Sequence, residues 1–449
     1  MKKTLLILTI ILALALLSAC GGSVDTTPDA SAETTTAPET TKEVEMGLTS
    51  PEGIKLLRQE IWNEYVESLP ASRKTELVKN GISYITVGAQ KMKVETKVIG
   101  NAPKGGYPIF IVLHGGGTDP TGEMNESQWR GMAARYARKA GIYVSCRAIE
   151  DTWNCHSVDN AYKFYDRIIE NACIYMNGNP NMAYVVGYSA GGDGVYQVAP
   201  RMADRFASAT MTAGHPNGVS GVNLYNLPFY LQVGELDTAY SRNTETVKYG
   251  MMLDGLKERF GGGYANWVFV HVGKEHGVVG DNATSKQTVV DDTEAWLKSG
   301  GRSGVGGSVS ETTHAAFLMT EHIRNPLPQR VIWDLSCRTP RARSVLSFYW
   351  VSAPASTTDG ILDISYDKAT NTVKVNSCSV KKGKITVYLS EDMLDLFSEV
   401  TFDFNGKVTK FTPTLSEDTI RKTTKERGDM NYQFVSSFTF DTEGNITSK

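Results

Sequence analysis

The stretch AYVVGYSAGGDGVY, residues 183–196, runs a short apolar segment into a serine that is surrounded by small residues. Its first five residues have the length and composition of a buried strand, and the window from Ala190 to Asp204 can form a helix. Ser189 is therefore predicted to lie on a sharp strand-to-helix turn, where it could act as a nucleophile. The GxSxG pattern is short and the chain holds 42 glycines, so a plain loop serine is the alternative.

A second motif lies upstream, where the apolar segment YPIFIVL ends in His114 and three glycines. Acyl transfer builds negative charge on an oxygen atom, and backbone N–H groups that already point at that oxygen stabilise it. Glycines let the backbone come this close. The N–H groups of Gly115, Gly116 and Ala190 are predicted to form the oxyanion hole, and a flexible loop after a strand is the alternative.

A serine hydroxyl needs a base to accept its proton, and the base needs a carboxylate to orient it. His276 follows the apolar segment NWVFVHVG and is the predicted base, whereas His271 lies inside that segment and is predicted to be packed. Glu235 and Asp237 both follow the segment LPFYLQVG, and either carboxylate could reach an imidazole. We favour Asp237, because a side chain needs a residue or two after the strand before it can turn inward.

Further polar and aromatic side chains follow predicted strands, and loops at such positions often determine specificity. Four of them are predicted to line a substrate pocket, with structural packing as the alternative: Trp153, His156, His215 and Asn217. Asp193 lies in the predicted helix after Ser189, too close to the turn to serve as the acid. It could hold a neighbouring loop or contact the substrate.

Apolar segments of strand length alternate with helical windows from Tyr107 to Lys298. The predicted strands are YPIFIVL, GIYVSCRA, AYVVG, FASATMT, LPFYLQVG and NWVFVHVG, and the predicted helices begin near Glu126, Val158, Ala190, Arg242 and Thr284. This alternation predicts an α/β fold with a mostly parallel sheet flanked by helices. Ligands of such sheets bind at the carboxyl ends of the strands, where the candidate residues lie.

The regions on either side of this core have different patterns. Residues 51–79 are predicted to form an N-terminal helical cap, followed by a β-hairpin, so the catalytic domain is assigned to residues 47–298. Residues 299–311 are rich in glycine and serine and predict a flexible linker. Residues 312–449 carry short alternating segments and are predicted to be an all-β accessory domain, either a stabilising or a binding module.

The N-terminus resembles a bacterial lipoprotein signal. Two lysines precede an apolar run that closes with Leu17, Ser18, Ala19 and Cys20. Residues 1–19 are the predicted signal peptide, and Cys20 is predicted to be lipidated, which would anchor the protein to a membrane outside the cytoplasm. A plain signal anchor is the alternative. Residues 20–46 are polar and acidic and predict a disordered tether.

The composition describes an ordinary globular protein. Hydrophobic residues make up 41% of the chain and charged residues 21%, with a formal net charge of −3. No basic excess is present to attract nucleic acid. No cysteine or histidine spacing indicates a metal site. Among the cysteines after Cys20, Cys146 could pair with Cys155 and Cys337 with Cys378, but spacing alone does not decide.

HGGG, GYSAGGDG, Asp237 and His276 occur in this order, and the region 81–298 resembles the α/β-hydrolase superfamily. It looks most like secreted poly(3-hydroxybutyrate) depolymerase-like and feruloyl-esterase-like enzymes, a group that includes dienelactone-hydrolase-like proteins. The resemblance implies a serine hydrolase that works through an acyl-enzyme. Ser189 would attack, His276 would transfer the proton and Asp237 would orient the imidazole. It implies no metal and no organic cofactor.

The expected substrate is a carboxylic ester, and it could be polymeric. No long lid is recognisable before the predicted acid, and an open cleft suits ester side groups on a polysaccharide or polyester. A serine peptidase of the prolyl-oligopeptidase type is one alternative, although no propeller precedes the core. The other is a surface lipoprotein with an inactive core that binds a glycan through its β domain.

Overall fold

The computed structural model describes residues 45–137, 139–271, 274–277, 285–286, 308–309, 319–337 and 346–448. The predicted signal peptide, Cys20, the tether as far as residue 44, the helix near Thr284 and most of the linker lie outside these residues. Within them, no helix is both long and apolar enough to cross a lipid bilayer.

An eight-stranded sheet forms the centre of the molecule, in the order β1-β2-β4-β3-β5-β6-β7-β8. Its strands are β1 (Gly81–Val87), β2 (Gln90–Ile99), β3 (Tyr107–Leu113), β4 (Gly141–Cys146), β5 (Gly178–Tyr188), β6 (Ser208–Thr212), β7 (Phe229–Gly234) and β8 (Asn266–His271). The predicted hairpin β1–β2 is antiparallel, and β2 pairs antiparallel with β4. From β4 to β8 all the pairings are parallel. The predicted α/β-hydrolase fold is confirmed.

Helices flank this sheet. They are α1 (Pro51–Ser68), α2 (Glu123–Trp129), α3 (Met132–Tyr136), α4 (Ala161–Met176), α5 (Ala190–Arg201) and α6 (Arg242–Phe260). The side chains of β3 divide between two hydrophobic clusters: Ile109 and Ile111 belong to one, and Phe110 and Val112 to the other. Both faces of the sheet are thus buried, which explains the unbroken apolar sequence of its strands.

The N-terminal helices contact α4. Arg73, in a short 3₁₀ helix at Ala71–Thr75, forms a salt bridge of 2.6 Å with Glu170 of α4. The Tyr65 hydroxyl of α1 donates a hydrogen bond of 2.5 Å to the same carboxylate. These buried and half-buried contacts fix the predicted helical cap on the side of the sheet that α4 covers.

Two five-stranded sheets make up most of the C-terminal region, in the orders β11-β14-β15-β17-β18 and β12-β13-β16-β19-β20. A short pair, β9 (Ser285–Lys286) with β10 (Ser308–Val309), precedes them. The further strands are β11 (Arg330–Asp334), β12 (Ser347–Phe348), β13 (Val351–Ser352), β14 (Ile361–Asp367), β15 (Thr372–Cys378), β16 (Lys384–Leu389), β17 (Val400–Phe404), β18 (Lys407–Phe411), β19 (Ser436–Asp441) and β20 (Ile446–Ser448).

This region also contains a helix, α7 (Glu417–Arg427), which the all-β prediction missed. The Ser416 hydroxyl accepts a hydrogen bond from the Thr419 N–H, and Gly428 ends the helix in the left-handed conformation. Acidic residues in the first turn and basic residues in the last turn complement the helix dipole. The helix carries few apolar residues, so hydrophobic periodicity does not reveal it.

Buried ion pairs join the C-terminal region to the core. Asp429 accepts from Arg205 and from Arg324, both at 2.8 Å, and Arg427 contacts Asp204 at 2.6 Å. All five side chains are at most 4% exposed. Glu45–Lys449 accordingly forms one compact unit. The division of this unit into a catalytic and an accessory domain stays a prediction.

The five cysteines after Cys20 all lie in described residues and are free thiols. Neither of the two pairings considered from the sequence is formed. Burial raises the pKa of the Cys155 thiol to about 12, so this thiol is a packed apolar group rather than a reactive one.

Replacing Asp429 with asparagine should lower the free energy of unfolding by about 3–5 kcal/mol, because it leaves Arg324 buried without its counter-charge and removes one of the two carboxylates that contact Arg205. The matched control is Glu245→Gln, which removes an exposed 2.8 Å pair with Lys248 and should cost less than about 1 kcal/mol. Urea unfolding measures both values. Equal losses in the two variants would contradict the structural importance of the buried network.

The difference in stability between wild type and Asp429→Asn should depend on pH in the acid range. Burial raises the pKa of Asp429, but the Arg324 and Arg205 guanidinium groups outweigh it and hold that pKa well below its usual range. The stabilisation from this carboxylate is therefore complete above its unfolded pKa of about 4 and is lost as the pH falls below that value. The stability gap between wild type and Asp429→Asn should narrow over this acid range.

Candidate active site

Ser189 lies on the turn between β5 and α5 with φ 57° and ψ −120°. Such a conformation is strained for any residue with a side chain, and it persists only where the surroundings enforce it. A Cβ on Gly187 would lie 2.2 Å from the Gly191 carbonyl oxygen, and one on Gly191 would lie 2.1 Å from that of Leu113. The small residues of the motif are thus required by backbone packing.

Three of the predicted side chains meet at this turn. His276 Nε2 lies 2.9 Å from Ser189 Oγ, and His276 Nδ1 lies 2.7 Å from Asp237 Oδ2. A neutral imidazole that donates from Nδ1 to the carboxylate leaves Nε2 free to accept the serine proton. Asp237, rather than Glu235, is the carboxylate in contact with the ring. Its side chain is 1% exposed, so its charge acts in a medium that screens it weakly.

Hydrogen bonds to the backbone hold the loops of Asp237 and His276 in place. The Leu236 N–H donates to the Lys274 carbonyl at 2.8 Å, joining the loop after β7 to the loop after β8. The hydroxyl of Tyr188, the residue before Ser189, donates to the His276 carbonyl at 3.2 Å. Tyr188 was not singled out from the sequence, although it occupies the variable position of the GxSxG motif. The three strand ends are therefore tied together by hydrogen bonds.

The glycines after β3 lie against this turn. A Cβ on Gly115 would lie 3.4 Å from the Ser189 Cβ. Gly116 and Gly117 have φ values of 123° and 142°, and the Gly117 N–H donates to the Asn125 side chain at 2.9 Å. Asn125 is fully buried, and no sequence signal distinguishes it. Within the described residues, the N–H groups of Gly115, Gly116 and Ala190 meet no acceptor.

Two buried histidines fix the peptide groups of this loop. His114 Nδ1 donates to the Gly115 carbonyl at 2.5 Å, while its Nε2 accepts from the Ala148 N–H at 3.1 Å. His156 Nε2 donates to the His114 carbonyl at 2.8 Å. A trans peptide unit is planar, so a fixed carbonyl also fixes the N–H on its opposite side. The N–H groups of Gly115 and Gly116 are oriented in this way.

Both imidazoles are neutral. Burial lowers the pKa of His114 to about 4, and burial together with the neighbouring His114 lowers the pKa of His156 well below its usual range. The ring centroids are 4.5 Å apart, edge to face. Protonating either ring would place a charge in an apolar layer beside the other, so the two rings act as fixed hydrogen-bonding groups.

The predicted substrate-binding residues separate into two kinds. Trp153 is 42% exposed and packs against Gly117, and Asn217 is also exposed. The His215 N–H donates to Asp193 Oδ1 at 2.7 Å, and its Nδ1 accepts from the Asn217 N–H at 3.0 Å. His156 differs from the expectation. It is 1% exposed and lies beneath the glycine loop, so it faces protein rather than an open pocket.

No protein-family model matches the chain, and no curated protein matches it. Among solved structures, it is similar to a thermostable esterase at 17% identity and a TM-score of 0.35, covering 54% of this chain and 62% of that one. The chain therefore spans less than two thirds of that protein. It is also similar to a poly(3-hydroxybutyrate) depolymerase from Bordetella parapertussis at 15% identity and a TM-score of 0.36, covering 45% and 87%.

A third similar structure is poly(aspartic acid) hydrolase-1 from Sphingomonas sp. KT-1, at 12% identity and a TM-score of 0.35, covering 45% of this chain and 96% of that one.

Replacing Gly187 with alanine should destabilise the protein by about 2 kcal/mol or more, because the added methyl group meets backbone that cannot rotate away. Gly255→Ala is the matched control. It lies on the exposed face of α6 with nothing within 4 Å, and it should stabilise the protein by about 0.5–1 kcal/mol. Urea unfolding measures whether each substitution lowers or raises the free energy of unfolding. A Gly187→Ala protein as stable as wild type would contradict the tight packing of this turn.

Proposed function

We propose that the protein is a serine hydrolase that cleaves carboxylic esters through an acyl-enzyme. The observation that carries the proposal is the hydrogen-bonded chain from Ser189 Oγ through His276 to Asp237, with distances of 2.9 and 2.7 Å. It stands beside a strained turn and N–H groups without an acceptor, which are the parts that acyl transfer needs.

In the first half of the reaction, Ser189 Oγ attacks the ester carbonyl carbon while His276 Nε2 takes the hydroxyl proton. The negative charge that forms on the carbonyl oxygen accepts hydrogen bonds from the N–H of Ala190 and those of Gly115 or Gly116. Collapse of this intermediate breaks the bond to the alcohol oxygen, which leaves with the proton from His276. The acyl group remains on the serine.

In the second half, a water molecule takes the place of the alcohol. His276 accepts a proton from the water as its oxygen attacks the acyl carbon, and the same N–H groups stabilise the second intermediate. The bond to Ser189 Oγ then breaks, the serine regains its proton and the carboxylic acid leaves. Asp237 holds the imidazole tautomer throughout and stabilises the imidazolium.

We further propose that the substrate is an ester side group on a polysaccharide or polyester, and that a lipid on Cys20 holds the enzyme at a membrane outside the cytoplasm. The first part is supported by the exposed side chains around the site, which would admit a large molecule. The second is supported by the sequence pattern at the N-terminus alone.

A fluorophosphonate probe should label wild type at Ser189, and Ser189→Ala should remain unlabelled and inactive. The control Ser68→Ala removes an exposed hydroxyl on α1 that donates to the Tyr65 carbonyl, and it should be labelled like wild type. p-Nitrophenyl esters should turn over faster than aminoacyl-nitroanilides. An unlabelled wild type would favour the glycan-binding alternative, and faster amide turnover would favour the peptidase.

Replacing His156 with alanine should lower kcat for these esters by about tenfold or more with little change in KM, because the Gly115 N–H loses its fixed direction. His156→Gln should recover part of the rate, since an amide N–H can donate to the same carbonyl. The control His271→Ala removes another buried imidazole and should cost stability without this loss in kcat. Equal kcat losses in both alanine variants would reduce His156 to a packing role.

A further inference from the structure

The loops that follow β4 and β7 meet across the carboxyl edge of the sheet. In the sheet order, β3, β5 and β6 separate these two strands. Neighbouring strands lie about 4.8 Å apart, so the ends of β4 and β7 are separated by about 19 Å. The ring centroids of Trp153, after β4, and Tyr240, after β7, are nevertheless only 5.4 Å apart. The two loops therefore converge beside the strand ends that carry the glycine loop and Ser189.

The side chains at this junction are large, apolar and open to solvent. Trp153 is 42% exposed, Tyr240 is 63% exposed and Leu236 is 51% exposed. A single exposed aromatic residue needs no explanation, but two exposed rings in contact beside the candidate catalytic residues are typical of a binding surface. The two rings are inclined at 57°, so they present an angled aromatic surface rather than one flat stack.

The surrounding structure holds this surface in place. A Cβ on Gly117 would lie 3.4 Å from the Trp153 ring, which fixes the indole against the glycine loop. Tyr240 and Ser241 both have φ of 56°, a strained conformation for residues with side chains. The Arg242 guanidinium lies 4.8 Å from the Tyr240 ring centroid and 3.7 Å from Asp237 Oδ1. The aromatic surface is thus connected to both the proposed oxyanion loop and the acid.

We propose that Trp153 and Tyr240 form a carbohydrate subsite that binds a sugar ring on the alcohol side of the ester. The inference rests on the proposed function. A sugar ring has an apolar face that can cover an aromatic ring, while its hydroxyl groups stay in water, and this suits rings that are half exposed. An aromatic acyl group is apolar on both faces and is better served by an enclosed pocket.

Polar groups are present at the same edge to complete such a subsite. His215 and Asn217 follow β6, which lies between β5 and β7 in the sheet. Both side chains are at least partly exposed, and they offer hydrogen-bonding atoms to sugar hydroxyls. A small number of placed polar groups around an apolar surface is the usual composition of a ligand site.

The test compares two acetate esters that share one acyl group, ethyl acetate and acetylated xylobiose. The ratio of kcat/KM for the sugar ester to kcat/KM for ethyl acetate should fall by about tenfold or more in Trp153→Ala and in Tyr240→Ala. Tyr240→Phe keeps the ring and should keep most of the ratio. The control Tyr84→Ala removes a tyrosine that is 55% exposed on the edge strand β1, and the ratio should not change.

Three results would overturn the subsite. These are an unchanged ratio in both alanine variants, an equal loss in Tyr240→Phe and Tyr240→Ala, or a loss that appears for methyl ferulate against methyl acetate instead. The last result would mean that Trp153 and Tyr240 bind the acyl group of the ester rather than its alcohol group. Urea midpoints close to wild type in the alanine variants are required to show that the loops still fold.

A binding measurement separates this inference from the proposed function. Acetylated xylobiose is titrated into Ser189→Ala and into the double variant Ser189→Ala with Trp153→Ala, by calorimetry. Weaker binding of about tenfold in the double variant supports the subsite even if wild type hydrolyses no ester. Equal binding in both proteins overturns it, even if the fluorophosphonate experiment establishes the serine hydrolase.

Discussion

The close approach of two backbone segments is the constraint on which the site depends. The start of α5 lies so near the end of β3 that a methyl group on Gly191 would overlap the Leu113 carbonyl. This contact holds Ser189, the proposed nucleophile, in its strained turn and also brings the glycine loop against it. The same backbone contact therefore positions both the Ser189 hydroxyl and the N–H groups of the glycine loop.

The buried histidines His114 and His156 also hold the backbone of the glycine loop in position. Enzymes gain most from hydrogen-bond donors that are aimed before the reaction begins. In this protein two neutral imidazoles orient the N–H groups of the glycine loop, because each imidazole donates a hydrogen bond to a carbonyl of that loop. Burial keeps both rings uncharged, so the arrangement is independent of proton exchange near neutral pH. The imidazole of His276, by contrast, is partly exposed.

Much of the core could be predicted from the sequence, because buried parallel strands alternate with helices and the candidate catalytic residues follow strand ends. The choice between Glu235 and Asp237 could not be made with certainty, since it depends on how a turn is tied to the neighbouring loop. His156 was wrongly expected to be open to a pocket, because a position after a strand does not reveal burial. The contact between Trp153 and Tyr240 joins distant parts of the chain, and no local pattern predicts it.

The ion pairs between the core and the C-terminal region have a consequence for how the protein can be divided. Helix α5 starts directly after Ser189, and Asp204 and Arg205 follow soon after its end at Arg201. Their charges are neutralised by Arg427 and Asp429 from the far end of the chain. A fragment cut at the glycine-rich segment would lose both of these C-terminal partners, although Arg205 would keep its ion pair with Asp166 at 3.0 Å, and it would expose a surface that is covered in the whole chain. The C-terminal region thus supplies counter-charges to the segment that follows α5, the helix next to Ser189, and removing it should destabilise this part of the core.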